Sequence, residues 1–410
     1  MHVNGRRVVV TGLGAVSPLG LDALSFWDAL VAGRSGISHL TTVDPGDTGV
    51  SIAGQIEAFE ARRFVDGRTA RLIDRAALLF AAASDEALRD ARLDPRGRDV
   101  AVVAGVDTAL ATTAQIATGF HTRGQLGVDA YALVQALPNT ASGLAARRLG
   151  IRGPHLALSA ACAGGAVAAL YGGGLIRLGE VDAAIVGGSV GLDPVLLAAC
   201  VAARVLSRSD DPARASRPFD RRRDGFVVGE GSGALVLEEL AHARRRGATV
   251  HAELLGGAQT SSLEGYTIND AQSCAACMSR ALASAGVTPD DVDLVSAHAP
   301  STPLGDRQEA EALDTVFGRR VPAFAAKGSL GHCMAATAAL ETVAAVRALE
   351  EGVAPPTLNY EEPDPECQVD CVPNVARPLD VGIVLKNAFG FGGVNCCLVL
   401  GRPPDDDASA

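Results

Sequence analysis

Short apolar runs, each followed by a segment of helical spacing, recur from one end of the chain to the other. This alternation limits the chain to a small set of folds. "RRVVVTGLGAV" (6–16), "DVAVVAGVD" (99–107), "DAAIVGGSV" (182–190) and "GSGALVLEEL" (231–240) read as strands. So do "VHAELLGGAQ" (250–259), "VDLVSAHAP" (292–300) and the two runs within "GIVLKNAFGFGGVNCCLVL" (382–400). Helices are expected at 24–33, about 71–91, near 129–147, about 271–286, about 305–316 and 334–351. Strands that are apolar on both faces belong inside a sheet covered by helices, so the fold class is α/β with buried sheets. The same order of elements returns in the second half. That predicts a duplicated architecture with halves 1–245 and 246–402, and a disordered tail at 403–410.

Composition narrows the function. The chain has 410 residues, 48% hydrophobic and only 4% aromatic, so alanine, valine and leucine must fill a large core. Its formal charge of −11 argues against a nucleic-acid partner. No run of 18 apolar residues is free of a charge or a glycine cluster, so no membrane span is expected. "MHVNGRRVVV" leads straight into a strand without a secretory pattern, which points to a cytoplasmic protein. Nine cysteines then read as free thiols, most of them small buried hydrophobes. The pairs in "CAAC" (274–277) and "CQVDC" (367–371) match no common zinc module, and no metal site is expected. Only two lysines, Lys327 and Lys386, stand against 34 arginines. Where arginine serves generic surface charge, a lysine marks a place that suits a flexible ammonium.

Four stretches can carry chemistry. In "LALSAACAGGAVAAL" (156–170) a strand turns into a helix at Cys162. Unpaired amides at such a turn stabilise a thiolate and are expected to lower its pKa. In "SAHAPSTPLGD" (296–306) His298 ends a strand, where sites on α/β sheets lie. "AAKGSLGHCMAATAALE" (325–341) holds Lys327, His332 and Glu341. Glu341 is nine residues beyond His332, nearly half a turn round an ideal helix from it, and is better placed to meet Lys327. "NAFGFGGVN" (387–395) exposes backbone amides suited to an oxyanion hole. A dinucleotide-binding turn in "VVVTGLGAVSPLG" is rejected. Ser17 stands where the third glycine belongs, and Pro18 follows.

Taken together these motifs resemble the β-ketoacyl-acyl carrier protein synthases, over about residues 5–400. "AACAGG", "SRPFDRRRDGFVVGEGSGALVLE" (216–238), "STPLGD", "KGSLGH" and "NAFGFGGVN" carry the resemblance. It implies a duplicated thiolase-like fold in five layers, αβαβα, and a decarboxylative condensation of the elongating type II fatty acid or polyketide kind. The rivals are a priming acyltransferase on the same fold and a non-catalytic chain-length subunit. On this resemblance Cys162 is the acyl-accepting nucleophile, and His298 and His332 are the two site histidines. Lys327 and Glu341 support them. Phe391 gates the site, and the amides of Cys162 and Phe391 form the oxyanion hole. Thr302 is the second of two threonines that contact pantetheine, while Pro300 stands where the first is expected. Asp107 and Thr108 lie where relatives shape the acyl pocket. Arg68 (with Arg62, Arg63 and Arg71 nearby) and Arg204 fall near the carrier-docking face. No cofactor is expected, since phosphopantetheine arrives on the carrier protein. The partner is an acyl carrier protein, and the resemblance implies a homodimer or a heterodimer with a chain-length subunit.

Overall fold

The computed structural model describes residues 5–96, 99–107, 109–318 and 321–404. Thr108, the side chain of Arg71 and residues 405–410 lie outside the described residues. Ten strands carry the architecture. The first five are β1 (Val8–Val16), β2 (Val100–Gly105), β3 (His155–Leu158), β4 (Ala183–Val190) and β5 (Gly231–Glu239). The second five are β6 (Ala252–Ser261), β7 (Leu294–Ser296), β8 (Pro322–Phe324), β9 (Ile383–Gly390) and β10 (Val394–Gly401). Their side-by-side order is β3-β2-β4-β5-β1, then β6-β10-β9-β7-β8, with Asp370–Cys371 beyond β8.

Each half thus runs third, second, fourth, fifth, first. Directions repeat as well: β2 is parallel to β3 and β4, and β7 is parallel to β8 and β9. The β4–β5, β5–β1, β9–β10 and β10–β6 pairs are antiparallel. The halves join where β1 meets β6, Val9 opposite Glu253 and Val10 opposite Ala252.

Five layers follow from where the helices pack. Helices α1 (Arg75–Asp90) and α2 (Asn139–Leu149) cover the outside of the first half-sheet. The helix α4 (Ala271–Ala285) covers the second and carries α5 (Pro303–Phe317). Between the half-sheets lie α3 (Gly164–Leu178) and α6 (Met334–Glu351). The layers pack closely because their residues are small. A Cβ on Gly165 of α3 would sit 2.6 Å from the Ala339 amide of α6, so only glycine fits there. The segment Ala161–Leu178 has the length and mean hydropathy (1.3) of a membrane span, but it is this central helix and spends its apolar surface on the two half-sheets.

Some boundaries differ from the sequence reading. The helix expected near 129–147 is two pieces, Ala132–Ala136 and α2. Leu137, just before Pro138, is extended (φ −78°, ψ 127°), because proline crowds the helical conformation of its predecessor. The helix expected from about 71 starts at Arg75, where Asp74 accepts the Ala76 amide as its cap. The strand expected over 292–300 is only Leu294–Ser296. Helices Leu110–Arg123 and Pro194–Ala202 were not foreseen.

Candidate active site

Cys162 lies in a single helical turn, Ala161–Ala163, that leads from β3 into α3. Ala161 adopts φ +46°, an unfavourable angle for a residue with a Cβ, and this bends the chain sharply just before the sulfur. The end of β9 presses on the same turn. A Cβ on Gly390 would come within 2.8 Å of Ala160 O and 3.3 Å of the Cys162 amide. This close approach brings the Phe391 amide to the sulfur, where it and the Cys162 amide both favour the thiolate.

His332 lies opposite. Its Nε2 is 3.1 Å from Cys162 Sγ, and its Nδ1 is 3.1 Å from Thr337 Oγ1. The Thr337 hydroxyl can donate or accept, so it serves either imidazole tautomer. Phe226 packs edge-on to the His332 ring with centroids 5.0 Å apart. His298 sits with its ring 5.6 Å from that of His332 and 5.7 Å from Phe389. Its backbone is clamped from both sides. The Glu309 carboxylate accepts from the amides of His298 (2.9 Å) and Ala299 (2.6 Å), and Lys327 Nζ donates to His298 O.

Lys327 Nζ also lies 2.8 Å from Glu341 Oε1, and neither side chain is more than 1% exposed. The second lysine comes to the same carboxylate, with Lys386 Nζ 2.8 Å from Glu341 Oε2. Both of the chain's lysines therefore meet one buried glutamate. The sequence reading placed Lys327 beside Glu341 and left Lys386 unassigned, although lysine scarcity marked both.

Burial dominates the electrostatics. The Cys162 thiol is pushed up to about 12, first by burial and then by the Asp107 carboxylate; Lys327 and the two amides pull the other way without prevailing. This reverses the lowered value expected from the strand-turn-helix alone, because burial penalises the thiolate more than two amides reward it. Both imidazoles are held well below the usual histidine range, by burial and by the charges of Lys327 and Lys386, with His332 adding to the effect on His298. Neutral imidazoles facing a neutral thiol are the resting state.

A cavity of about 890 Å³ reaches Cys162, His298, His332 and Phe391. Phe391 is 39% exposed and stands where the chain turns back through Gly392 and Gly393, both at positive φ. Thr302 borders the cavity and also caps α5, its hydroxyl accepting from the Gly305 amide and leaving its own proton free. Pro300 is on the same wall. Asp107 lines the cavity and accepts from Ser159 Oγ at 2.7 Å. Arg204 is exposed at the rim. Arg68 is exposed but away from the cavity lining, donating to Tyr131 Oη at 2.8 Å. The elements that hold the site come from both halves, so neither half contains it alone.

Comparison with known proteins shows the family. Residues 5–243 match the beta-ketoacyl synthase N-terminal domain, and 251–361 match the beta-ketoacyl synthase C-terminal domain. The chain is 37% identical to 3-oxoacyl-[acyl-carrier-protein] synthase 2 of Synechocystis sp., across 97% of this chain and 99% of that protein. It is 38% identical to the tetracenomycin polyketide synthase ketoacyl synthase alpha subunit of Streptomyces glaucescens, across 98% of each. Among solved structures, that of AntDE:AntF, a type II polyketide synthase acyl-carrier protein in complex with its ketosynthase, aligns with a TM-score of 0.87 at 30% identity. That alignment covers 97% of this chain and 100% of the other. The chain belongs to the β-ketoacyl synthase family, whose thiolase-like fold it shares.

Proposed function

We propose that the protein is an acyl-transferring condensing enzyme that joins an acyl group on Cys162 to a malonyl unit, both delivered by an acyl carrier protein. The observation that carries this reading is the Cys162–His332 contact of 3.1 Å, with His298 facing the same cavity. In the first half-reaction Cys162 Sγ attacks the thioester carbonyl of the acyl carrier. The new C–S bond replaces the old one, and the thiol proton ends on the departing pantetheine sulfur. His332 Nε2 is the group in reach to carry that proton. The oxyanion formed in passing falls to the amides of Cys162 and Phe391. Such preorganised donors are worth roughly 10²–10³ in rate.

In the second half-reaction the malonyl carboxylate leaves as carbon dioxide, and its electron pair becomes an enolate. Neutral N–H groups of His298 and His332 hold the enolate oxygen. The enolate carbon attacks the acyl-Cys162 carbonyl, the C–S bond breaks, and the thiolate regains a proton. The pantetheine arm is part of the incoming substrate; Thr302 offers its hydroxyl proton to the arm, and Arg204 offers positive charge to an acidic carrier. Asp107 sets the polarity of the acyl pocket. The working unit is a pair, this chain with a second copy or with a homologous partner subunit.

Incubation with acyl and malonyl carrier thioesters tests the proposal. The expected result is an acyl adduct on Cys162 by intact mass, released carbon dioxide, and a product longer by two carbons. An adduct without carbon dioxide would establish the priming acyltransferase instead, and no adduct would establish a non-catalytic subunit.

A further inference from the structure

Lys386 has no part in the reaction just described, yet it is wholly buried beside the groups that do. It points from β9 to Glu341 Oε2, and its Nζ also donates to Asn387 O. A buried ammonium is strongly disfavoured unless it is matched. It is matched here by a cluster of two ammoniums and two carboxylates: Lys327, Lys386, Glu341 and Glu309, each no more than 1% exposed. The cluster is built around the His298 backbone. Glu309 holds the His298 amide, Lys327 holds the His298 carbonyl, and Glu341 holds Lys327. The residue after Lys386 closes the loop, Asn387 Nδ2 donating to Glu309 Oε1 at 2.9 Å.

One lysine would be enough to pair Glu341. With Lys327 alone the cluster would carry two negative charges against one positive, next to both imidazoles. The second lysine restores neutrality.

We propose that Lys386 is a positioning residue for the condensation half-reaction: it fixes Glu341, and through it Lys327 and His298, and its charge keeps the two site imidazoles as neutral N–H donors. This rests on the condensing-enzyme reading above. The charged and titratable groups that bear on these two histidines are Lys327, Lys386, Glu341, Glu309, Cys162 and each other, with Glu230 packed behind Cys333. Lys386 is fully buried, forms an ion pair with this cluster and lies outside the cavity lining. Its Coulombic effect lowers both imidazoles, in the same direction as burial.

The test is the pH dependence of condensation in Lys386→Met and Lys386→Arg. Removing the Lys386 charge raises both imidazole pKa values, since the cationic form is then opposed by one ammonium fewer. The acid limb of kcat/KM in Lys386→Met is expected to move to higher pH than in the wild-type enzyme, so that the ratio of activity at pH 6 to that at pH 8 falls. Lys386→Arg is expected to restore the wild-type limb. Acyl transfer to Cys162, read by intact mass, is expected to persist in both.

A purely structural lysine would lower the melting temperature and leave the limb in place, and that result would overturn the inference. Histidine NMR on the wild-type protein needs no variant to fold. His298 and His332 are expected to stay neutral at pH 5.5, and titration of either near its ordinary value would equally overturn it. A wild-type enzyme that releases no carbon dioxide would fault the condensing-enzyme reading instead, so the two failures are distinct.

Discussion

Opposing influences meet at the sulfur of Cys162. Two amides and Lys327 favour its charged form, while burial and Asp107 oppose it and win, which places the thiol at about 12. The resting nucleophile is therefore protonated at neutral pH, and it gains reactivity when His332 takes the proton during attack. Alkylation of the free enzyme by iodoacetamide measures this directly. The Cys162 adduct rate is expected to climb about tenfold per pH unit from about pH 7 to pH 10 with no plateau, because only the thiolate reacts. A rate that levels off between about pH 9 and pH 10 would mean an ordinary thiol and an open site. The residue types of this site were legible in the chain, since Cys162, His298 and His332 each stand at a turn after an apolar run. The protonation states were not. Whether helix amides or desolvation governs a thiol depends on how the site around it is closed, and the side chains that pack there, Phe226 on His332 and Phe389 on His298, are distant in sequence.

The element that does most to assemble the site is β9. Within eight residues it places Lys386 on Glu341, Asn387 on Glu309, Phe389 against His298, and Gly390 against the turn that carries Cys162. Alternation explains this. Successive residues of a strand face opposite layers, so one strand can reach the central α6 and the outer α5 at once. Gly390 is the tightest point. In Gly390→Ala the new Cβ, 2.8 Å from Ala160 O, forces the Phe391 turn away from the sulfur and takes one oxyanion donor with it. Acyl-enzyme formation is expected to fall about 10²-fold, with a far smaller change in the unfolding temperature. Unchanged acyl transfer would remove the Phe391 amide from the oxyanion hole. The strand itself was legible as an apolar run ending in glycines. Its role was hidden, because Lys386 and Glu341 lie 45 positions apart and meet only across two layers. The helix Leu110–Arg123 escaped for the opposite reason: it has no buried residue in the single chain, so it lacks the apolar stripe that marks a helix in sequence.

At the scale of the whole molecule the two half-sheets are unequal at their outer edges. The second half ends in the short strand Asp370–Cys371 beyond β8, whereas the first ends in β3, with His155 and Leu156 exposed. A bare strand edge beside exposed apolar residues is a liability that a partner removes. Here the residues that follow β2 supply the apolar surface: Phe120 is 63% exposed, Leu126 91% and Leu133 71%. Leu110 and Asp107 begin the same stretch and line the cavity, so a partner seated on that stretch would bear on the wall beside Cys162. Pairing and catalysis should therefore fail together. By light scattering the wild-type protein alone is expected to run at about twice 41.8 kDa. Leu133→Glu places a charge on a side chain that the single chain leaves in water, so the fold should survive with its circular dichroism intact. The mass is expected to drop to that of one chain, and condensation to fall at least about tenfold as the cavity wall opens. If the wild-type chain is monomeric alone and gains both mass and activity on adding a homologous subunit, the face serves a heterodimer. A fully active monomer would mean that the exposed stretch after β2 has no structural partner at all.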